Sequence, residues 1–128
     1  MKKRTTLLKA VTIANEQLED ITFMCKNRTK STYFTRGGKM GFKDMILFML
    51  NLVKKSLQAE LDRYFTNIKG GEISITKQSY SEAREKIMPE AFIEMTNRIL
   101  TWFYEEDDFK TCKGYRLLAV DGSIIEVN

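Results

Sequence analysis

ITKQSYSEAREKIMPEAF, from Ile75 to Phe92, decides how this chain is organised. Thr76 carries the short hydroxyl side chain that accepts a free amide at a helix start, so a helix is expected from Thr76 to about Ile87. Ser79 and Glu82 offer a second possible start, a capping box one turn later. Tyr80, Ala83 and Ile87 share one face at helical spacing. Gln78, Ser81, Glu82 and Glu85 share the other, with Lys77 on the flank. Pro89 disfavours helix at Met88 but suits the first turn of a new helix. That next helix should run to about Tyr104 and bury Phe92, Met95, Ile99 and either Trp102 or Phe103.

Working towards the N-terminus, GG at 70–71 interrupts the apolar pattern. Before it, Ser56 is a plausible N-cap for a helix from Leu57 to about Phe65, with Leu57, Leu61, Tyr64 and Phe65 on one face. Gln58, Asp62 and Arg63 point away from that face. Phe42 to about Lys55 is apolar nearly all round, which predicts a helix at the centre of a bundle. The stretch NRTKSTYFTRGGKMG, Asn27 to Gly41, has no helical period and carries Arg28, Lys30, Arg36 and Lys39 around Tyr33 and Phe34. It reads as a polar linker in preference to a DNA-contacting arm. Leu7, Val11, Ala14, Leu18 and Ile21 alternate steps of four and three, the seam of an amphipathic helix. Two heptads are too few for a coiled coil, so core packing is expected of that seam.

Towards the C-terminus, EEDDFKTCKG is an acidic and then basic connection. Two strand-like runs follow, Tyr115 to Val120 and Ser123 to Val127, with Asp121-Gly122 between them as a hairpin turn. Leu117 to Val120 do not alternate with polar residues, the pattern of a strand covered on both faces. Four helices cannot supply that cover, so the sequence reads as the opening of a larger sheet domain and the chain as a fragment. Three segments result: residues 1–41, an N-terminal helix and basic linker; residues 42–105, a helical region; and residues 106–128, the start of the sheet domain.

Composition narrows the chemistry. The 128 residues contain no histidine, which removes histidine bases, Ser-His and Cys-His nucleophiles and most zinc sites. Cys25 and Cys112 stand alone without CxxC spacing and read as reduced thiols. The basic start MKKRTTLLKA lacks the apolar core and cleavage site of a signal peptide. The most apolar run, Met45 to Val53, is far short of the roughly 20 residues of a membrane span. A cytoplasmic, nucleoid-associated protein is expected. The net charge of +4 is distributed unevenly: residues 1–40 hold nine Lys/Arg against three Asp/Glu, and residues 81–128 hold six against ten. A basic front half suits a phosphate backbone, whose neutralisation releases counterions, and equally suits a solvated surface.

The three helices from Phe42 to Ile87 are arranged in sequence like a helix-turn-helix, although Asn67 to Ile75 is longer than its usual turn. Lys77 and Gln78, at the start of the last helix, are residue types that meet phosphates or base edges in a major groove. Ser81 and Arg84 complete the candidate DNA-binding set. Arg84, close to the apolar face, is as well placed to pair with a carboxylate such as Glu60. Glu82 and Glu85 would repel phosphates.

LVKKSLQAELDRYF, then ITKQSYSEAREKIMPEAF, then YRLLAVDGSIIEV, taken in order, resemble the start of insertion-sequence DDE transposases of the IS-four group. The resemblance covers about Phe42 to Val127. It implies a mainly α fold, a helical DNA-binding bundle followed by the first β-hairpin of a truncated ribonuclease-H-like α/β domain. It also implies Mg²⁺-assisted DNA strand cleavage and transfer at transposon ends, with Asp121 as the first of three catalytic acids and a metal ligand. The other two acids belong far downstream. The chain alone is therefore expected to be catalytically inactive and to bind no Mg²⁺. Two other readings stay open: a non-catalytic regulator of transposition that binds DNA or full-length transposase, or a helical protein whose terminal strands join a partner's sheet. A homodimer is a further possible assembly.

Overall fold

The densest apolar run becomes the centre of the molecule. Phe42, Met45, Ile46 and Phe48 are all buried on one nine-residue helix, Met45 and Ile46 completely. The computed structural model describes residues 2–36, 38–51, 56–68, 70–71, 74–106 and 109–122. Among these, the elements in chain order are α1 (Lys2–Glu19), α2 (Ile21–Lys26), α3 (Phe42–Leu50), α4 (Leu57–Ile68), α5 (Lys77–Arg84), α6 (Glu90–Glu106), β1 (Thr111–Cys112) and β2 (Tyr115–Arg116). The fold is mainly helical with a small antiparallel hairpin. The expected helix from Phe42 ends at Leu50 with Asn51 as its C-cap, and residues 52–55 lie outside the described residues. Among the described residues, no helix is long and apolar enough to cross a membrane.

Edge-to-face aromatic contacts tie α3 to its neighbours. The Phe48 ring meets Tyr64 of α4 at 5.7 Å and Tyr80 of α5 at 5.1 Å between centroids. Phe42 meets Phe23 of α2 at 5.7 Å and Phe34 at 5.5 Å. Such pairs add about 0.5–1.5 kcal/mol each beyond the area they bury. The Tyr64 hydroxyl donates to Asp44 Oδ1 at 3.0 Å, so its polar tip is satisfied inside the α3–α4 contact.

Local signals set most helix ends. Ser56 caps α4 by accepting the Ala59 N–H at 3.3 Å. Gly70 and Gly71 both adopt φ near 80°, beyond α4, and the Gly71 N–H returns to the Phe65 carbonyl at 2.8 Å. Those dihedrals strain any residue with a Cβ. Thr76 caps α5 by accepting the Ser79 N–H at 3.2 Å. The alternative capping box at Ser79 and Glu82 does not form, because Ser79 is already inside the helix that Thr76 starts. The helix ends at Arg84 instead of Ile87, with Glu85 as C-cap. Tyr80 and Ile87 are nevertheless both buried, as their spacing requires.

Three sequence expectations are corrected by packing. The α1 seam does not face the core: Leu18 is buried, but Leu7, Val11 and Ile21 are 64%, 48% and 72% exposed. The helix presents Gln17 and Leu18 inward behind half-buried Ala10, Ile13 and Ala14. Asp20 breaks it by accepting the Thr22 N–H at 2.9 Å, which starts α2 and removes Ile21 from the seam. On α6 the buried residues are Ala91 and Met95, while Phe92, Ile99, Trp102 and Phe103 are half-buried. The strand expected from Tyr115 to Val120, finally, covers only Tyr115–Arg116, and it pairs back onto Thr111–Cys112 through a turn at Lys113-Gly114. Lys113 and Gly114 take φ of 52° and 80°, the paired positive values of a two-residue turn, and register Cys112 against Tyr115. Arg116 locks it to the helices, its guanidinium 4.0 Å over the Tyr104 ring. Residues 117–122 have no regular structure and are exposed, Val120 at 97%. The expected second strand, Ser123 to Val127, lies outside the described residues.

The segment read as a linker is a built part of the fold. Asn27 is buried and donates its amide to the Phe23 carbonyl and to Glu94 Oε2, both at 2.9 Å. Lys26 reaches the other Glu94 oxygen at 3.2 Å. The Asn27 amide holds the Glu94 carboxyl below its ordinary value of 4.5, with Lys26 assisting and burial opposing. A depressed folded-state value stabilises the fold above the unfolded value, and that stability is lost as pH falls through the folded one. Glu94→Gln should therefore flatten the fall in unfolding free energy below about pH 4.5, measured by urea denaturation across pH. Phe48→Ala, which removes the ring shared by α3, α4 and α5, should cost about 3–5 kcal/mol in the same assay at neutral pH.

Candidate nucleic-acid interface

The α4 residue that holds the start of α5 is Gln58. Its helical position predicts a solvent-facing side chain, but it is half-buried and works at both ends of its amide. Its Oε1 accepts the Lys77 N–H at 3.0 Å, and its Nε2 donates to Asp62 Oδ1 and the Ile75 carbonyl, both at 3.1 Å. Asp62 Oδ1 also accepts the Ser74 hydroxyl at 3.0 Å. The long connection between α4 and α5 is thereby pinned to α4 at Ser74, Ile75 and Lys77. A Gln and an Asp four residues apart on the exposed face of a helix was the available signal.

With Tyr80 buried, the opposite face of α5 is presented outward. Lys77, Gln78, Glu82, Arg84 and Glu85 are exposed and Ser81 is half-buried. Gln78 donates to Glu82 Oε1 at 3.3 Å. The Ser81 hydroxyl donates to the Lys77 carbonyl at 2.9 Å, so it faces outward only as an acceptor. Arg84 does not pair with Glu60, which is buried on α4 with Oε1 unpartnered among the described residues. Its charge lies instead near the Tyr80 hydroxyl, whose pKa burial pushes up and Arg84 pulls down.

The basic segment is fastened beyond both ends of this helix. Beyond the C-terminal end of α5, the Thr29 N–H donates to the Lys86 carbonyl at 3.0 Å and the Met88 N–H to the Asn27 carbonyl at 2.8 Å. Before its N-terminal end, Lys39 Nζ donates to the Ser74 carbonyl at 3.2 Å. Between these anchors Lys30 and Lys86 sit over the Tyr33 ring at 5.6 and 5.1 Å from its centroid. Arg28 is half-buried and donates to the Tyr33 carbonyl at 3.1 Å, which makes it a latch for the segment. Residues 27–41 and 76–86 together carry seven Lys/Arg and two Asp/Glu, both acids on α5.

Asp121 is exposed in the irregular stretch after β2. Mg²⁺ requires several oxygen ligands, and among the described residues no three acidic, cysteine or histidine side chains gather. The described residues do not make up such a site. Comparison with known families, curated proteins and solved structures finds no significant match for this chain.

Gln58→Ala deletes all three Gln58 bonds. It should destabilise the fold by about 1.5–4.5 kcal/mol, each of the three bonds being worth roughly 0.5–1.5 net. Hydrogen exchange should accelerate at the Lys77 amide, and the α6 amides should lose protection only by the global amount.

Proposed function

We propose that this chain is the N-terminal part of a DDE transposase of the insertion-sequence IS-four group, and that its described residues bind double-stranded transposon-end DNA. The observation that carries the DNA reading is the basic, acid-free segment fastened beyond both ends of α5, whose outward residues include Lys77, Gln78 and Arg84. Two features that are separate in sequence are thereby tied together, with a net charge of opposite sign to a phosphate backbone. The three motifs from Leu52 to Val127 support the family.

In this reading the N-terminal end of α5 enters the major groove. Gln78 reads a base edge, giving up its bond to Glu82 for a bidentate contact, and adenine is the base whose edge matches an amide. Lys77 and Arg84 contact phosphates on either side, and Ser81 contributes only an acceptor. Lys30, Arg36 and Lys39 follow the backbone beside the helix. Glu82 and Glu85 repel phosphates from the middle of α5, which favours an end-on entry over a flat one. Asp121 is the first catalytic acid and metal ligand of the family in this reading, with strand transfer depending on acids that the described residues do not supply. Full-length transposase is a natural partner for such a chain, and regulation without catalysis needs the same DNA surface.

Fluorescence anisotropy of labelled duplex against salt tests the proposal. If about four or more phosphates are neutralised, log K should fall with log[salt] at a slope of roughly −4 or steeper. Lys77→Ala and Arg84→Ala should each weaken binding to every duplex and flatten the slope by about 1, whereas Gln78→Ala should relax sequence preference and leave the slope. Absence of binding at low salt, or a slope indifferent to all three substitutions, would remove the DNA assignment.

A further inference from the structure

We propose that the cleft between α3 and α4 binds a small aliphatic amine, with Glu60 as the counter-charge of its ammonium group. The inference stands independently of the DNA reading, which uses none of these residues. The cleft holds about 500 Å³ and runs lengthwise between the two helices. It is lined at steps of three and four from Asp44 to Asn51 on one side and from Glu60 to Ile68 on the other, one face of each helix. Glu60 is 6% exposed, and its Oε1 has no hydrogen-bond partner among the described residues. Arg63 lines the same cleft, but it is exposed and does not bond to that oxygen. Buried polar atoms are satisfied in the great majority of cases, and an open oxygen costs more on a charged group than on a neutral one. A cation brought into the cleft offsets that cost.

The walls select the kind of cation. Leu47, Phe48 and Ile68 give the cleft an apolar lining, which suits methylene groups and not a hydrated metal ion. Asp44 already accepts the Tyr64 hydroxyl at 3.0 Å, so Glu60 is the anchor. Asn51 donates its amide to the Leu47 carbonyl at 2.7 Å, which leaves its Oδ1 to accept. The acceptors are therefore single oxygens on separate side chains. An ammonium is a point charge with three rotatable donors and matches that set, whereas a guanidinium asks for two oxygens in one rigid fork. Leu47 and Ile68 belong to the last turns of α3 and α4, and neither turn contains a basic residue. The negative ends of two helix dipoles thus lie along the cleft and favour a cation there. The ammonium sits at Glu60, and its methylene stem lies along Leu47, Phe48 and Ile68.

Isothermal titration of the whole chain with butylammonium chloride, at neutral pH and moderate salt, tests this. One ammonium and a short stem bind weakly, so a Kd of about 0.1–1 mM is expected, with butan-1-ol giving no binding. Glu60→Gln keeps the shape and removes the charge, and should weaken binding by about ten-fold or more. Arg63→Ala removes a competing cation from the cleft and should tighten binding by about two-fold. Amide NMR shifts of the wild-type chain locate the site without any substitution: they should move at Leu47, Asn51 and Ile68 and stay still along α1. A wild-type chain that shows no saturable binding at tens of millimolar would overturn the proposal. So would equal affinity in a folded Glu60→Gln variant, shifts gathered at Glu105 and Glu106 instead of the cleft, or butylguanidinium binding as tightly as butylammonium.

Discussion

α2, α4, α5 and the segment around Phe34 are positioned by what the aromatic side chains of α3 touch. Phe48 is the shared ring: Tyr64 of α4 and Tyr80 of α5 both meet it edge-on, so the two helices that frame the candidate interface are oriented by a single side chain. Phe42, one and a half turns earlier on the same helix, does the same for Phe23 and Phe34. The two rings divide the labour. One holds the helical unit together, and the other holds the basic segment against it. The Asp44–Tyr64 bond sits at this junction, and burial together with that carboxylate raises the tyrosine's pKa to about 12. The hydroxyl is thus a neutral donor throughout the ordinary pH range.

The polar anchors operate on top of this apolar frame. Gln58 fixes where α5 begins, Asn27 fixes where the basic segment leaves α2, and Lys39 fastens its far end. Each anchor uses backbone carbonyls or amides that a helix terminus or a loop would otherwise leave open. The face of α5 that remains is consequently exposed by construction: its inward side chains are committed to the core, and its ends are committed to α4 and to the segment around Thr29.

Much of this was legible because it depends on short-range chemistry. The caps at Ser56 and Thr76 act over two or three residues, the glycines at 70–71 act on their own dihedrals, and the burial of α3 follows from its lack of a polar face. The rest depends on contacts that no local pattern encodes. The α1 seam has helical spacing, but which of its faces meets α6 is decided by α6. Lys113-Gly114 also satisfies two-residue turn chemistry, and the short hairpin it makes is held by Arg116 finding Tyr104, a remote contact that no local pattern signals. Gln58 looks like a solvent residue until a segment from Ser74 to Lys77 folds back on it. The basic run at Arg28 to Lys39 looked like a linker for the same reason: its partners, Lys86, Met88 and Glu94, are remote in sequence. Period alone puts Gln78 outward and Lys77 on the flank, but puts Arg84 close to the apolar face; the exposure of Arg84 and the internal bond of Ser81 follow from packing.

That remoteness also orders events in time. The Asn27–Glu94 bond joins residues 67 positions apart, and the neighbouring backbone bonds from Asn27 and Thr29 close nearly the same loop around α3, α4 and α5. Closing so long a loop costs chain entropy that local helix contacts do not incur, so contacts of this kind form after the intervening elements have drawn the ends together. The Asn27 end of the basic segment is therefore a late arrival in folding. While the chain is still emerging from synthesis, α3 to α5 can assemble around Phe48 with the segment held to α3 by Phe34 on Phe42, and its Asn27 end is fixed only once α6 has supplied Glu94.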